Sequence, residues 1–269
     1  EHADQIKREV QGGQKPTPTQ VALGKEYKEQ LRQIEPKLQE AEKQFLDLMY
    51  QIPNPPATDV PIGPDESGNV VVRQLGDLPK FNFPVKSHQE LMTKLGWLES
   101  ERGVKIAGFR GYFLQGEGLL LEQALMRIAL ERLIEAGFTP MSVPVLVNEE
   151  TMWGTGYFPW GSEDHYRTQD DTYLTGTAEV ALTAYHAGET LREKDLPVQL
   201  CGISPCFRRE VGTHGKDTQG IIRVHQFNKV EQVVLTVADE EETRRWHEKM
   251  VALVEQLLQD LELPYQVLL

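Results

Sequence analysis

Between Tyr27 and Leu48, apolar side chains recur at Tyr27, Leu31, Ile34, Leu38, Ala41, Phe45 and Leu48, with charged residues between them. The spacing alternates four and three without a break. Few structures other than a long helix, with one seam laid against another helix, accommodate such a repeat. The spacing predicts a helix from Val21 to Tyr50, roughly 45 Å long at ~1.5 Å per residue. Pro36 lies inside the pattern, where it should kink the helix or remove a hydrogen bond. Ala3, Ile6 and Val10 show the same spacing, and Gly12-Gly13-Gln14-Lys15-Pro16-Thr17-Pro18 separates the two stretches. The expected structure is an antiparallel helical hairpin with a short first helix, an arm covering residues 1–50. Such an arm has no core of its own. It serves either oligomerisation or reach, and ordinary coiled-coil packing explains the seam taken alone.

Residues 51–77 are rich in Pro, Gly and Asp and read as a linker over the surface. From residue 78 onward, strands and helices mix, giving an α+β class. Leu119 to Ala136 predicts a helix with Leu121, Leu125, Ala129 and Leu133 on one face, stopped by Gly137. Phe138 to Val147 reads as a strand whose Pro140 and Pro144 require an edge or a bulge. Val198–Glu210 and Ile221–Thr236 read as an antiparallel hairpin. The last helix, Asp239 to Leu261, buries a stripe of Trp246, Met250, Leu253, Leu257 and Leu261. The chain ends at Leu269 inside what looks like a strand without a partner, which predicts a truncated domain.

Composition removes several classes. Hydrophobic residues are 39% and charged residues 26%, a globular balance rather than a disordered one. The net charge of −13 argues against a small basic nucleic-acid binder, while leaving room for an enzyme that touches RNA through a local patch. No apolar run reaches the ~18 residues of a membrane span. Glu1-His2-Ala3-Asp4 does not begin a signal peptide. Cys201 and Cys206 are too few for a disulfide framework; they read as core thiols and suit a reducing, cytoplasmic setting. No Gly-x-Gly-x-x-Gly follows a strand. Gly215-Lys216 precedes Asp217, and Glu210 stands where a Walker loop needs Gly. His-Glu-x-x-His and a hydrolase elbow are also missing.

What remains is the hairpin Phe207-Arg208-Arg209-Glu210 … Arg223-Val224-His225-Gln226-Phe227-Asn228-Lys229-Val230-Glu231. Alternation along strands puts Arg208 and Glu210 on one face, and Arg223, His225, Phe227, Lys229 and Glu231 on one face of the partner. Facing one cavity, they supply guanidiniums for phosphate, a ring for a base and carboxylates for an ammonium or a base amine. That set suits a nucleoside triphosphate together with an amino acid. A solvated sheet face with salt-bridged charges explains either strand alone. The joint pattern, with an aromatic inside the charged row, brings the two readings level.

A resemblance decides between them. Phe207-Arg208-x-Glu210, the loop Gly212-Thr213-His214-Gly215-Lys216-Asp217 and Arg223-Val224-His225-Gln226-Phe227-x-Lys229-Val230-Glu231 resemble motif 2 of bacterial-type seryl-tRNA synthetases. Leu174-Thr175-Gly176-Thr177-Ala178-Glu179 is similar to that family's serine-binding signature. Gly137 to Pro144 resembles motif 1, the dimer-forming element, and Gly154-Thr155-Gly156-Tyr157-Phe158-Pro159 also fits. The arm resembles the family's tRNA-binding coiled coil. The resemblance implies a class II synthetase antiparallel sheet flanked by helices, in a catalytic domain over residues 78–269. It implies that ATP meets Arg208, Arg209, Glu210, Val224, His225, Gln226 and Phe227. Arg208, Glu210 and Arg223 would be catalytic, Phe227 would stack on adenine, and Glu210 is a candidate magnesium ligand. Parity turns the Arg209 side chain away, leaving only its backbone to matter. L-Serine would meet Thr177, Ala178, Glu179 and Arg208, with Glu231 on its ammonium. Pro144 would lie at a homodimer interface, and residues 212–220 would touch the acceptor end of tRNA(Ser). The family's motif 3 and most of the first arm helix find no counterpart in these residues. The alternatives are a ligase for another small amino acid and a non-catalytic tRNA- or nucleotide-binding derivative.

Overall fold

The computed structural model describes residues 17–211 and 220–269. The expected first arm helix with Ala3, Ile6 and Val10, and the loop at 212–219, lie outside the described residues. Contacts divide the chain into two units, with the boundary after Pro55.

In the first unit, helix α1 runs from Pro18 to Met49. Its start is a capping box: Gln20 N–H donates to Thr17 Oγ1 at 3.3 Å, and Thr17 N–H donates to Gln20 Oε1 at 2.8 Å. Pro18 follows, where a missing N–H costs the helix nothing. The helix runs unbroken through Pro36. Glu26 with Gln30 and Glu40 with Gln44 brace successive turns. No residue of α1 is buried, and Leu31, Ile34, Leu38, Phe45 and Leu48 of the seam are each more than half exposed.

The second unit contains, in chain order, β1 (Val71–Leu75), α2 (His88–Lys94), β2 (Leu98–Glu99), α3 (Glu101–Ala107), β3 (Phe113–Leu114), α4 (Glu117–Glu135), β4 (Thr139–Ser142), β5 (Leu146–Val147), α5 (Glu149–Gly154), β6 (Tyr166–Arg167), β7 (Tyr173–Leu174), α6 (Glu179–Thr183), β8 (Val198–Phe207), β9 (Gln226–Leu235), α7 (Glu240–Asp260) and β10 (Tyr265–Leu268). The α+β class is as expected. The sheet that carries the hairpin has three strands in the order β4-β8-β9, and it is mixed: β9 is antiparallel to β8, and β4 parallel to it. Pro140 lies in β4, an edge strand, where a residue without an N–H leaves no ladder bond unmade. The strand expected over residues 138–147 is instead two, in different sheets. The chain leaves β4 after Ser142, and β5 pairs with β7, which also pairs with β6.

Alternation places residues of the hairpin in two cores. Cys201, Val230 and Val234 face Leu133 and Leu130 of α4 and Met250 and Leu253 of α7. Leu200, Val198 and Val233 face Ala178 and Leu182, beside Met141 and Val143. Each aliphatic side chain fully buried in this way contributes about 1.5–3 kcal/mol. The stripe expected on α4 is buried only at its end. Leu133 is 7% exposed, whereas Leu121 and Leu125 are 50% and 38% exposed. The apolar side chains that pack on the sheet come from the last turns of α4; its first half turns Leu119, Leu120, Leu121 and Leu125 outward and meets β9 through Glu122, which accepts from Asn228 Nδ2 at 3.1 Å. The α7 stripe faces inward as expected, but all five of its residues are only half-buried.

Two expectations at the ends of this unit fail together. β10 has a partner, β1, and β1 lies within the stretch read as a linker. Val71-Val72-Arg73-Gln74-Leu75 has the β-branched content of a strand, but the Pro- and Gly-rich residues before it hide the signal. Val70 and Leu269 exchange both backbone hydrogen bonds, at 2.8 and 2.9 Å, and Arg73 reaches Glu255 of α7 at 3.1 Å. Among the described residues no helix is long and apolar enough to cross a membrane.

Candidate active site

The register of the hairpin sets large residues against small ones. Glu231 faces Gly202, Lys229 faces Ser204, and Phe227 faces Cys206. Directly opposed residues share a face, so β9 presents a charged and aromatic row beside a row with little side chain. The small row gives space for the segment after β7 to lie on the sheet. A Cβ at Gly202 would stand 3.0 Å from Ala178 Cβ and 3.2 Å from Leu182 Cδ1. Thr175 N–H donates to Val145 O at 2.9 Å, and Thr175 O accepts from Phe207 N–H at 3.0 Å. These bonds hold Thr175-Gly176-Thr177-Ala178 against the hairpin.

Arg208 follows β8 and crosses this segment. A Cβ at Gly176 would come within 3.1 Å of Arg208 Cγ and 3.3 Å of Phe207 O, so any larger residue would push Arg208 aside by a few tenths of an ångström. The guanidinium lies over the Phe227 ring, 5.3 Å from its centroid. At these distances a cation gains from the ring quadrupole. On one side of Arg208, a cavity of about 510 Å³ is lined by Asp164, Glu210, Arg223, Val224 and Phe227. Arg223 Nη1 donates to Glu210 Oε2 at 3.0 Å. On the other side Thr177 Oγ1 donates to Glu231 Oε2 at 2.6 Å, and Lys229 Nζ lies 2.8 Å from the same oxygen. Thr177 Oγ1 also accepts from Glu179 N–H at 3.2 Å. Tyr157 Oη donates to Glu179 Oε2 at 3.0 Å.

The structure brings together Arg208, Glu210, Arg223, Val224 and Phe227 around one cavity, and Thr177, Glu179 and Glu231 in a hydrogen-bonded cluster beside it, whereas Ala178 is fully buried in the core against Leu182 and Leu200. The Arg209 side chain points away as expected, its Nη1 donating to Glu163 O at 2.8 Å, while its N–H donates to Asp164 O. His225 and Gln226 do not join the Arg208 cavity. They line an adjoining cavity of about 580 Å³ with Tyr112, Glu122, Tyr166 and Phe227, the last of which borders both. The parity used to place His225 fails because β9 begins only at Gln226. His225 instead ties the hairpin ends: its Nδ1 is 3.0 Å from Arg208 O, a carbonyl that only accepts, so Nδ1 carries the proton. Glu210 also lies beyond the strand, with φ of +51°. Its carboxylate is paired with Arg223, and no three metal-ligating side chains converge among the described residues. Pro144 is exposed between β4 and β5. Tyr157, Asp164 and Lys229 belong to the site without a role assigned from sequence. Lys229 stood in the alternating row, whereas no periodic signal marks the other two.

With a mixed sheet whose antiparallel hairpin carries Arg208 beside a nucleotide-sized cavity and near the Thr177–Glu231 pair, the site is similar to a class II aminoacyl-tRNA synthetase core. The family model for the tRNA synthetase class II core domain (G, H, P, S and T) matches residues 163–269. Over nearly its whole length the chain is similar to seryl-tRNA synthetases. It is 43% identical over 252 residues to the serine–tRNA ligase of Deinococcus radiodurans, covering 93% of this chain and 59% of that protein. The seryl-tRNA synthetase of Pyrococcus horikoshii, solved in complex with ATP, superposes with a TM-score of 0.84 at 37% identity, over 99% of this chain and 64% of that one. The cytoplasmic serine–tRNA ligase of Naegleria fowleri, solved with AMP, gives 0.81 at 34% identity, over 88% and 52%. The chain thus spans about three fifths of the length of the Deinococcus relative.

Proposed function

We propose that this protein activates L-serine with ATP and transfers the seryl group to the 3′ end of tRNA(Ser). The observation that carries the reading is the position of Arg208, beside both the cavity and the Thr177–Glu231 pair. ATP would take the compartment of Glu210, Arg223 and Phe227. The adenine would stack on the Phe227 ring, and its amine would donate to Glu210. Serine would take the compartment of Thr177, Glu179 and Glu231. Glu231 would receive the serine ammonium at the oxygen that Lys229 neutralises in the free protein. The serine carboxylate attacks the α-phosphorus in line, forming the acyl–phosphate bond of seryl-adenylate as the bond to pyrophosphate breaks. The tRNA terminal hydroxyl then attacks the acyl carbon, and AMP leaves. The protein's part in the first step is alignment and neutralisation of charge, which Arg208 and Arg223 supply.

The identities and TM-scores above support serine as the amino acid, and the ATP and AMP bound to the solved relatives support the nucleotide. The exposed half of α4, with Leu119, Leu120, Leu121 and Leu125, supports a homodimer, because a surface of this apolar character ordinarily meets a partner. The long exposed seam of α1 supports a tRNA-reaching arm over residues 1–50. The two buried free thiols suit the cytoplasm.

The test is amino-acid-dependent ATP–pyrophosphate exchange by the full-length protein, with serine, threonine, alanine and glycine compared. Exchange with serine alone is the expected result. Exchange with a different amino acid overturns the substrate, and none with any amino acid overturns the reaction.

A further inference from the structure

Tyr157 is held from three directions. Its N–H donates to Met152 O at 3.0 Å, and its carbonyl accepts from Gly161 N–H at 3.0 Å. Its ring meets His165 edge-on, with 5.6 Å between centroids. It also packs on the buried cluster of Val147, Met152, Phe158, Tyr173 and Val180. With backbone and ring fixed, the direction of the hydroxyl is fixed as well, and it points at Glu179 Oε2, 3.0 Å away. A carboxylate only accepts, so the phenol is the donor. Burial raises the phenol pKa, Glu179 raises it further, Glu231 adds to this, and Arg208 opposes. The hydroxyl therefore stays protonated at neutral pH and feels the charges that surround the amino-acid compartment.

Glu179 needs such a partner. It is exposed, at the first position of the five-residue helix α6. A free Glu at that position would sample several rotamers, and ordering it on binding would weaken the complex.

We propose that Tyr157 is a positioning residue for amino-acid selection. It clamps one oxygen of Glu179 and leaves the other oriented to accept a hydrogen bond from a hydroxyl-bearing amino acid. The proposal deepens the serine-activation reading and rests on it. Substrates that lack the hydroxyl gain nothing from the clamp, so its loss should fall on serine and spare alanine.

The experiment compares serine-dependent exchange in the full-length protein and its Tyr157→Phe variant, which keeps the ring and its packing. Loss of a hydrogen bond to a charged group predicts a serine KM raised roughly ten-fold or more. The KM for ATP and the thermal midpoint should not change, and the residual preference for serine over alanine should fall by a similar factor. A serine KM within about two-fold of the parent overturns the proposal. So does an equal rise in both KM values, which would mark a structural role. Absence of serine-dependent exchange in the unsubstituted protein overturns the activation reading, and this proposal with it.

Discussion

The hydrogen bonds that cap and brace α1 join residues three or four apart, such as Thr17 with Gln20 and Glu40 with Gln44. Those that assemble the hairpin site cross much longer stretches: Phe207 to Thr175, Thr177 to Glu231, Tyr157 to Glu179. The helix is specified by neighbours in the chain and leaves its apolar seam in water. The site is specified by segments that meet only once the sheet has formed. Local order is therefore tolerant of substitution, whereas the site depends on a few close approaches between backbones.

Three substitutions would break or sharpen that contrast. The largest effect is expected from Gly202→Leu. Any side chain there meets Ala178, Leu182 and Val143 within 3.3 Å, so overpacking should cost about 3 kcal/mol. A fall in the denaturant midpoint, with loss of serine-dependent exchange, checks it. Gly220→Ala should cost about 2 kcal/mol. Its φ is +66°, and a Cβ would collide with the His88 ring, which accepts from Ile221 N–H at 3.2 Å. Because Ile221 begins the approach to Arg223, the KM for ATP should rise as stability falls. Thr17→Ala removes the capping box and should cost α1 about 1 kcal/mol. Circular dichroism should show a small loss of helix, with the main unfolding transition and exchange activity retained. An equal loss of exchange from Thr17→Ala and Gly202→Leu would erase the distinction between the two regions.

The same contrast explains what could be read from the sequence. The α1 seam, the α7 helix and the existence of the hairpin were legible because periodicity is a property of adjacent residues. The row Phe227, Lys229, Glu231 was legible for as long as β9 remains a strand. Parity stopped being informative at Phe207 and before Gln226. The orientations of Arg208, Glu210, Arg223 and His225 come from turns and from partners on other segments. β1 was hidden for a related reason. All five of its residues are exposed, so it shows no alternation, and its partner β10 is almost the whole unit away in sequence. On α4 the apolar period was real but spoke only of a face, not of what covers it. Tyr157 stood in a stretch that fits the resemblance but carried no periodic signal, because its contacts depend on a loop folded back over α5.

The position of Arg208 has a thermodynamic consequence. One guanidinium lies over Phe227 and against Gly176, so the two compartments share a single charge. Whatever one ligand does to the orientation of that charge changes the free energy of binding the other, and linkage requires the effect to be reciprocal. Under the proposed function, selection acting on nucleotide affinity through this residue would act on amino-acid affinity as well, and the two specificities would be constrained to drift together.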